Sequence, residues 1–140
     1  MDAKNFEQAK QAAVEQNEAL YGAEARERFG DETVDAANAK LLAMDEAEWA
    51  SREELEDAII EQLKMTLPSG DPQSINAWKL VEMHKNWLCM HWPEGAYSPE
   101  AHVSLAQGYL ADPRFVEYYD SRAGAGACMF LVAAIKKWAA

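Results

Sequence analysis

The sequence predicts an all-α protein of six to eight helices. No segment alternates apolar and polar residues with the two-residue period of a half-buried strand. Apolar residues instead recur every three or four positions, and Pro or Gly residues separate the segments that show this spacing. A chain of 140 residues is long enough to bury one core and short enough to form one domain.

The N-terminal third predicts three short helices. Residues 2–20 are rich in Ala, Glu, Gln and Lys, and they carry only a thin apolar stripe of Phe6, Ala9, Ala13 and Leu20. Because so narrow a face buries little surface, we expect the helix of residues 1–20 to be mobile or held by a partner. Tyr21-Gly22 is predicted to break it, and helices are expected from there to about Gly30 and from Glu32 to Ala43.

The remaining helices are marked by their caps. Asp45 and Glu48 have the spacing of a capping box, and a long helix with the stripe Leu55, Ile59, Ile60, Leu63 and Leu67 follows until Pro68 to Gly70. Asp71-Pro72, Ser98-Pro99 and Asp112-Pro113 each pair an N-cap residue with Pro at the first helical position. After the small residues 123–127, a terminal apolar helix is expected from Cys128 to Trp138.

The charge is strongly acidic and unevenly placed. The formal net charge is −11, and residues 1–62 hold seventeen Asp and Glu against six Lys and Arg, whereas residues 63–140 hold seven of each. A chain without clustered cations is a poor match for nucleic acid or an anionic membrane. The acidic half is expected to form solvated helix faces or an acidic wall that attracts a cationic ligand. A polar N-terminus without a long apolar run predicts a cytoplasmic protein.

All three histidines lie between His84 and Phe115, a stretch that also concentrates Trp and Tyr. Such rings bury large area and keep a polar edge, so the stretch is a core, a cleft lining, or both. His84 and His91 are about 10.5 Å apart along one predicted helix, too far to share a metal. No metal site is therefore expected. Cys89 and Cys128 are expected to be free thiols, because the protein is expected to be cytoplasmic, and to be buried, because free Cys usually packs as a small apolar residue. No nucleophile signature surrounds Cys89.

Several ordered segments resemble the TipAS family, the antibiotic-recognition domain of some MerR-type drug-sensing regulators. They are EARERFGD from Glu24 to Asp31, the helix start from Asp45 to Trp49, WKLVEMH from Trp78 to His84, the helix start from Ser98 to His102, and GYLADPRFVEYYD from Gly108 to Asp120. The last is the most specific. The resemblance covers roughly residues 20–138, so we take residues 21–140 as the antibiotic-binding domain.

The resemblance implies a globin-like helical bundle with a ligand cleft, no cofactor and no catalysis. Its partner would be a bulky, partly apolar small molecule or peptide antibiotic. The residues that we expect to line the cleft are aromatic: Trp78, His84, Trp87, His91, Trp92, Tyr97, His102, Tyr109 and Tyr119. Stacking on Trp and Tyr would supply most affinity, and polar groups would orient the ligand.

Two departures from the family shape these expectations. Residues 1–20 are too few for a DNA-binding domain, so we expect a stand-alone binder or the sensor portion of a longer product, without direct contact to nucleic acid. Some members carry a Cys shortly before the helix that holds the equivalent of His102. This chain has Tyr97 in that region, and Cys89 lies earlier on another predicted helix, so we expect reversible binding. The alternative is a protein-protein interaction or dimerisation module, and an enzyme that uses Cys89 or a histidine is a third hypothesis.

Overall fold

The computed structural model describes residues 3–139, with side chains from Asn5 onward. Asp2, where the first predicted helix begins, lies outside the described residues, as do Met1 and Ala140, the outer limits of the two predicted segments. The proposed boundary between residues 1–20 and 21–140 stays a prediction.

The described residues form eight α-helices and no strand, which confirms the all-α prediction. The helices are α1 Ala3–Asn17, α2 Ala23–Phe29, α3 Asp31–Leu42, α4 Glu46–Thr66, α5 Ile75–His91, α6 Pro99–Ala111, α7 Pro113–Ala123 and α8 Ala127–Trp138. A π-helical turn, Glu18–Gly22, joins α1 to α2, and a 3-10 turn, Leu67–Ser69, follows α4. Within residues 3–139 no helix combines the length and the apolar character that crossing a bilayer requires.

The chain divides into two compact units. The first consists of Met1–Arg52 and Cys89–Ala96, and the second of Glu53–Leu88 and Tyr97–Ala140. Helices α4 and α5 contribute residues to both units, because the division after Arg52 falls inside α4 and the division after Leu88 falls inside α5. The two units are described separately below.

A buried lysine organises the first unit. Lys10 is 2% exposed, and its Nζ donates to the carbonyls of Leu42 at 2.6 Å and Met44 at 2.7 Å. These carbonyls lie at the C-terminal end of α3, where a helix leaves acceptors unpaired and where its dipole favours a cation. Phe6 and Val14, one turn before and one turn after Lys10, are also buried. The predicted stripe of Phe6, Ala9, Ala13 and Leu20 is therefore wrong after Phe6, because a charged residue occupies the buried face.

The predicted break at Tyr21-Gly22 is also wrong. Gly22 has helical angles, φ −57° and ψ −43°, and the chain passes through the π-helical turn into α2. The Glu18 carboxylate pairs with Arg26 and lies against Gly22, so a Cβ at Gly22 would overlap it. Gly22 therefore allows the Glu18 side chain to approach the backbone closely, and it does not form a turn.

The second unit has an extended apolar core. Residues from five helices form it: Ile59, Leu63, Ala77, Leu80, Val81, Ala106, Tyr109, Tyr119, Ala123, Ala127, Cys128, Phe130, Leu131, Val132, Ala134 and Ile135. Helix α8 contributes seven buried residues, because it is apolar nearly all round. The core holds α6, α7 and α8 together and gives α5 a buried face.

Most predicted helix starts are confirmed. Glu48 N–H donates to Asp45 Oδ1 at 2.7 Å while Asp45 N–H donates to Glu48 Oε1 at 3.2 Å, which is a complete capping box. Ser98 Oγ and Asp112 Oδ1 accept from Ala101 and Arg114 N–H, both at 3.0 Å.

The cap predicted at Asp71-Pro72 is displaced. Asp71 Oδ1 accepts from Gln73 N–H in a turn, and α5 begins three residues later, where Ser74 Oγ accepts from Ala77 N–H at 3.2 Å. Two competing cap residues lie within four positions, and the chain uses the later one for the helix.

Candidate functional site

Helices α5 and α6 bring two histidines together inside the second unit. His84 lies on the face of α5 that also buries Leu80, Val81 and Leu88. His102 lies one turn into α6, where its N–H donates to the Ser98 carbonyl at 3.0 Å. The Ser98-Pro99 cap thus fixes where α6 begins and turns His102 toward the interior, where it is fully buried.

The two imidazoles are joined by a hydrogen bond. His84 Nδ1 and His102 Nε2 are 2.8 Å apart, and the ring planes are nearly parallel, at 9°. One of these nitrogens donates and the other accepts, since a neutral imidazole has one nitrogen of each kind. Both residues are at most 1% exposed, so this bond is made without competition from water.

Three tyrosines extend the pair at both sides. Tyr97 Oη lies 2.8 Å from His102 Nδ1, and Tyr109 Oη lies 3.3 Å from His84 Nε2. The Tyr119 ring packs against that of Tyr109, with ring centroids 5.5 Å apart. We call this series of Tyr97, His102, His84, Tyr109 and Tyr119 the ring chain. It runs from a partly buried phenol, that of Tyr97, to the two buried phenols of Tyr109 and Tyr119.

Burial favours the uncharged forms of His102, Tyr109 and Tyr119 in the ring chain. Burial, and secondarily the charge of Lys85, lowers the pKa of His102 to about 4. Burial likewise raises the pKa of Tyr109 and of Tyr119 above that of an ordinary phenol. His102 and both tyrosines are therefore uncharged at neutral pH, and their hydrogen bonds are directional rather than ionic.

Other aromatic side chains pack against the ring chain. The Trp87 ring centroid is 5.9 Å from that of His84, and the Phe115 ring stacks on Tyr109 at 4.7 Å. Tyr118 contacts Tyr119 edge to face and donates to Glu56 Oε1 at 2.7 Å. Trp87 is partly buried, so it presents part of its indole at the surface of this unit.

Six of the nine predicted site residues therefore come together, namely Tyr97, His102, His84, Tyr109, Tyr119 and Trp87. Trp78 lies on α5 but is 41% exposed. His91 and Trp92 belong to the first unit, where Arg52 Nη1 lies 3.4 Å from His91 Nε2 and the Trp92 carbonyl accepts from Lys40 Nζ at 2.8 Å. The role of all nine in ligand binding stays a prediction.

Lys85 is a residue of this cluster that the sequence did not single out. Its Nζ lies 5.0 Å from the centroid of the Tyr97 ring, within cation-π range. Lys85 follows His84 directly in the sequence, but helical spacing places neighbouring residues on different sides of α5. The contact forms because the chain after α5 brings the Tyr97 ring close to Lys85.

Two grooves lie apart from the ring chain residues. In the first unit a groove of about 430 Å³ is lined by Lys40, Ala43, Met44, Ala47, Glu48, Ser51, Cys89 and Met90. In the second unit a shallow groove of about 360 Å³ follows α6 along Pro99, Glu100, Val103, Ser104 and Gln107. None of the nine predicted residues lines either groove.

The cysteines differ from each other. Both are free, as predicted, but Cys89 is exposed and only Cys128 is buried. The prediction of a buried Cys89 is wrong, because its position on α5 faces the first groove rather than a core. Burial, with a smaller effect of Asp120, raises the pKa of Cys128 to about 11, which makes that thiol unreactive. Among residues 3–139, no three His, Cys, Asp or Glu side chains are placed to hold a metal ion.

Comparison with family models gives one match, to the TipAS antibiotic-recognition domain, over residues 21–138. Comparisons with curated proteins and with solved structures give no significant match. The matched range includes every residue of the ring chain and the whole core of the second unit.

Proposed function

This chain belongs to the TipAS antibiotic-recognition domain family, and from that membership we propose that its second unit binds a bulky, partly apolar antibiotic or drug at the ring chain. TipAS is a family of ligand-binding domains. The location is supported by the hydrogen-bonded series from Tyr97 through His102 and His84 to Tyr109, which lies inside an otherwise apolar core.

A buried polar series of this kind supports binding because it holds rings rigidly. Each of its hydrogen bonds is satisfied by another ring, and satisfied networks in a low-dielectric interior fix a single arrangement. A preorganised polar group beside aromatic surface lowers the entropic cost of orienting a ligand. Tyr97 and Trp87, both partly buried, supply that group and that surface.

The nine predicted residues accordingly divide by role. Tyr97 and Trp87 would contact the ligand, while His84, His102, Tyr109 and Tyr119 would position Tyr97 from within the core. Both ring nitrogens of His84 and of His102 are already engaged, so these rings act on a ligand through Tyr97. Trp78, His91 and Trp92 remain predicted contacts that the ring chain does not support.

We propose reversible, non-catalytic binding in the cytoplasm, as the sensor of a MerR-type transcriptional regulator or as a stand-alone protein that sequesters the drug. Reversibility is supported by the phenol at position 97, which offers no nucleophilic sulfur to the ligand. The net charge of −11 supports the proposal that this chain makes no direct contact with nucleic acid.

Titration of a broad antibiotic panel against tryptophan fluorescence tests the proposal. We expect saturable quenching by at least one compound, with quenching reduced in Trp87→Phe and retained in Trp138→Phe. Trp138 is a matched control, since it is a partly buried tryptophan of the same unit whose Nε1 is engaged by the Pro72 carbonyl. No saturable response to any compound, with circular dichroism showing a folded helical protein, would contradict antibiotic binding.

A protein-protein or dimerisation module is the second candidate. It is supported by Ile75 and Trp78, which lie one turn apart on α5 and are 67% and 41% exposed. Sedimentation velocity over a hundredfold range of concentration distinguishes it, because self-association raises the sedimentation coefficient. We expect no such rise for a ligand sensor, and a rise abolished by Ile75→Ser would favour this alternative.

A further inference from the structure

Three sulfur-bearing residues line the groove of the first unit. Met44 follows α3, while Cys89 and Met90 lie in the last turn of α5. Cys89 is exposed, Met90 is partly buried, and Met44 is buried, at 6% exposed. The groove therefore gathers one thiol and two thioethers from two segments that are distant in the sequence.

Two lysines hold the backbone of these segments. Lys10 Nζ donates to the Met44 carbonyl at 2.7 Å. Lys40, near the end of α3, donates from Nζ to the carbonyls of Cys89 at 2.7 Å and Trp92 at 2.8 Å, which ties the end of α3 to the end of α5. Because these bonds fix the backbone, only side-chain torsions must adjust for the sulfur atoms to converge. Methionine has three rotatable bonds and adapts readily in this way.

The remaining lining residues favour a soft metal ion over a hard one. Ala43 and Ala47 are apolar, and Glu48, which lines the groove with Ser51, already accepts the Asp45 N–H at Oε1. Mg²⁺ and Ca²⁺ require a shell of oxygen ligands, whereas thiolate and thioether sulfur selects Cu(I). The part of the chain that the structure describes brings no three His, Cys, Asp or Glu side chains together, so it lacks the ligand set that Zn²⁺ prefers.

We propose that this groove binds one Cu(I) ion through the sulfur atoms of Met44, Cys89 and Met90. The Cys89 thiol releases its proton to solvent as the copper–sulfur bond forms, and each thioether donates a lone pair. Copper stays in the Cu(I) state, so the step needs no oxidant or reductant. The thiolate and Cu(I) are together neutral, which suits a groove lined by alanine.

Binding of this kind would join the segment after α3 to the last turn of α5. An ion that binds only the folded form would thereby stabilise the first unit. All three proposed ligands belong to that unit, so the proposal does not depend on antibiotic binding at the ring chain.

Competition with bicinchoninate, a chromogenic Cu(I) chelator, tests the site in the full chain under anaerobic conditions. We expect the protein to withdraw one equivalent of Cu(I) from the chelator, and Cys89→Ser to abolish the withdrawal. Met44→Leu and Met90→Leu nearly conserve volume, and each should lower Cu(I) affinity by about tenfold or more, since even the loss of an outer-shell partner costs that much. Met129→Leu, an exposed position on α8, is the matched control and should leave the affinity unchanged.

An isolated reactive thiol would give a different result. Copper binding that is lost in Cys89→Ser but unchanged in both methionine variants would overturn the three-sulfur site. Failure of the wild type to compete with the chelator, or full binding by a folded Cys89→Ser variant, would also overturn it.

X-ray absorption at the copper edge tests the ligands without any substitution. We expect sulfur alone as the nearest neighbour of copper in the loaded wild-type protein. Nitrogen or oxygen neighbours in place of the thioethers would contradict the proposed ligand set.

Discussion

The two units bury polar groups in opposite ways. The first places a cation, Lys10, against carbonyls at the end of α3, and a second cation, Lys40, donates to the carbonyls of Cys89 at 2.7 Å and Trp92 at 2.8 Å near the end of α5. The second unit places a hydrogen-bonded series of aromatic rings in a large apolar core. The first unit thus depends on a few charged contacts, while the second depends on apolar area.

The two kinds of buried polar group are also suited to different roles, one to stability and the other to ligand recognition. A buried cation stabilises a helix end but is saturated by the carbonyls that it contacts. The hydrogen-bonded rings of the second unit instead end at Tyr97, whose side chain is only partly buried. For this reason we propose that ligand recognition lies in the second unit, although the larger of the two grooves described above lies in the first.

The largest expected loss of stability comes from disrupting the apolar core of the second unit. Leu131 is fully buried on α8, so Leu131→Ala should lower the free energy of unfolding by about 3 kcal/mol, from lost burial and the cavity left behind. Urea denaturation measures it. Met129→Ala, on the same helix at 66% exposed, is the control and should change stability by less than about 0.5 kcal/mol. Equal effects of the two substitutions would contradict the assignment of the core.

A smaller effect is expected from removing the cation of the first unit. Lys10→Met keeps the volume but strands the carbonyls of Leu42 and Met44, at a cost of about 2 kcal/mol. Hydrogen exchange should show reduced protection in α1 and α3. Lys64→Met, at an exposed position, should leave exchange unchanged. Unaltered protection in Lys10→Met would mean that the lysine is not the anchor of α1.

Acidification should lower the stability of the folded protein through His102 of the ring chain. The pKa of His102 is about 4 in the folded protein, below about 6.5 in the unfolded chain, because burial and then Lys85 disfavour the charged ring. The unfolded chain therefore binds a proton first as pH falls, and stability declines from about pH 6.5 toward 4. Between pH 7 and pH 5 the loss from this residue is about 1 to 2 kcal/mol.

The histidine contribution is isolated with His102→Asn, which cannot titrate. The difference in unfolding free energy between wild type and variant should shrink as pH falls from 7 to 5, because the acid-sensitive term is present only in wild type. A difference that is constant over this range would show that His102 does not titrate below its ordinary value.

The smallest loss of stability is expected from removing a helix cap, and one cap from each unit can be compared. Asp45→Ala removes half of the capping box of α4, and Ser98→Ala removes the cap of α6; each should cost about 1 kcal/mol. Thermal unfolding measures both. Because Ser98 also fixes the start of α6 and so the position of His102, its loss should also broaden the imidazole resonances, whereas Asp45→Ala should not.

Helix starts were predictable where one cap residue had no nearby competitor. Asp45, Ser98 and Asp112 each act within three residues of their own position, so local sequence suffices. Asp71 failed because Ser74, three residues later, caps α5 instead. The buried Lys10 could not be foreseen, since lysine is nearly always exposed and its partners lie more than thirty positions away.

The aromatic content of the site was predictable, but its hydrogen bonds were not. The spacing of His102 and Tyr109 placed both on one face of α6, and His84 was assigned to the apolar face of α5. That His84 bonds His102 rather than a ligand depends on how α5 and α6 pack, which periodicity does not contain. Trp78 shows the same limit, because an aromatic side chain on a predicted helix can face outward.

Calorimetric titration of the panel compound that quenches tryptophan fluorescence, into wild type, Tyr97→Phe and Tyr118→Phe, tests the central claim most directly. The account predicts one saturable site in wild type, affinity lowered at least fivefold in Tyr97→Phe, and affinity unchanged in Tyr118→Phe. Equal affinity of all three folded proteins would contradict recognition at the Tyr97 end of the ring chain.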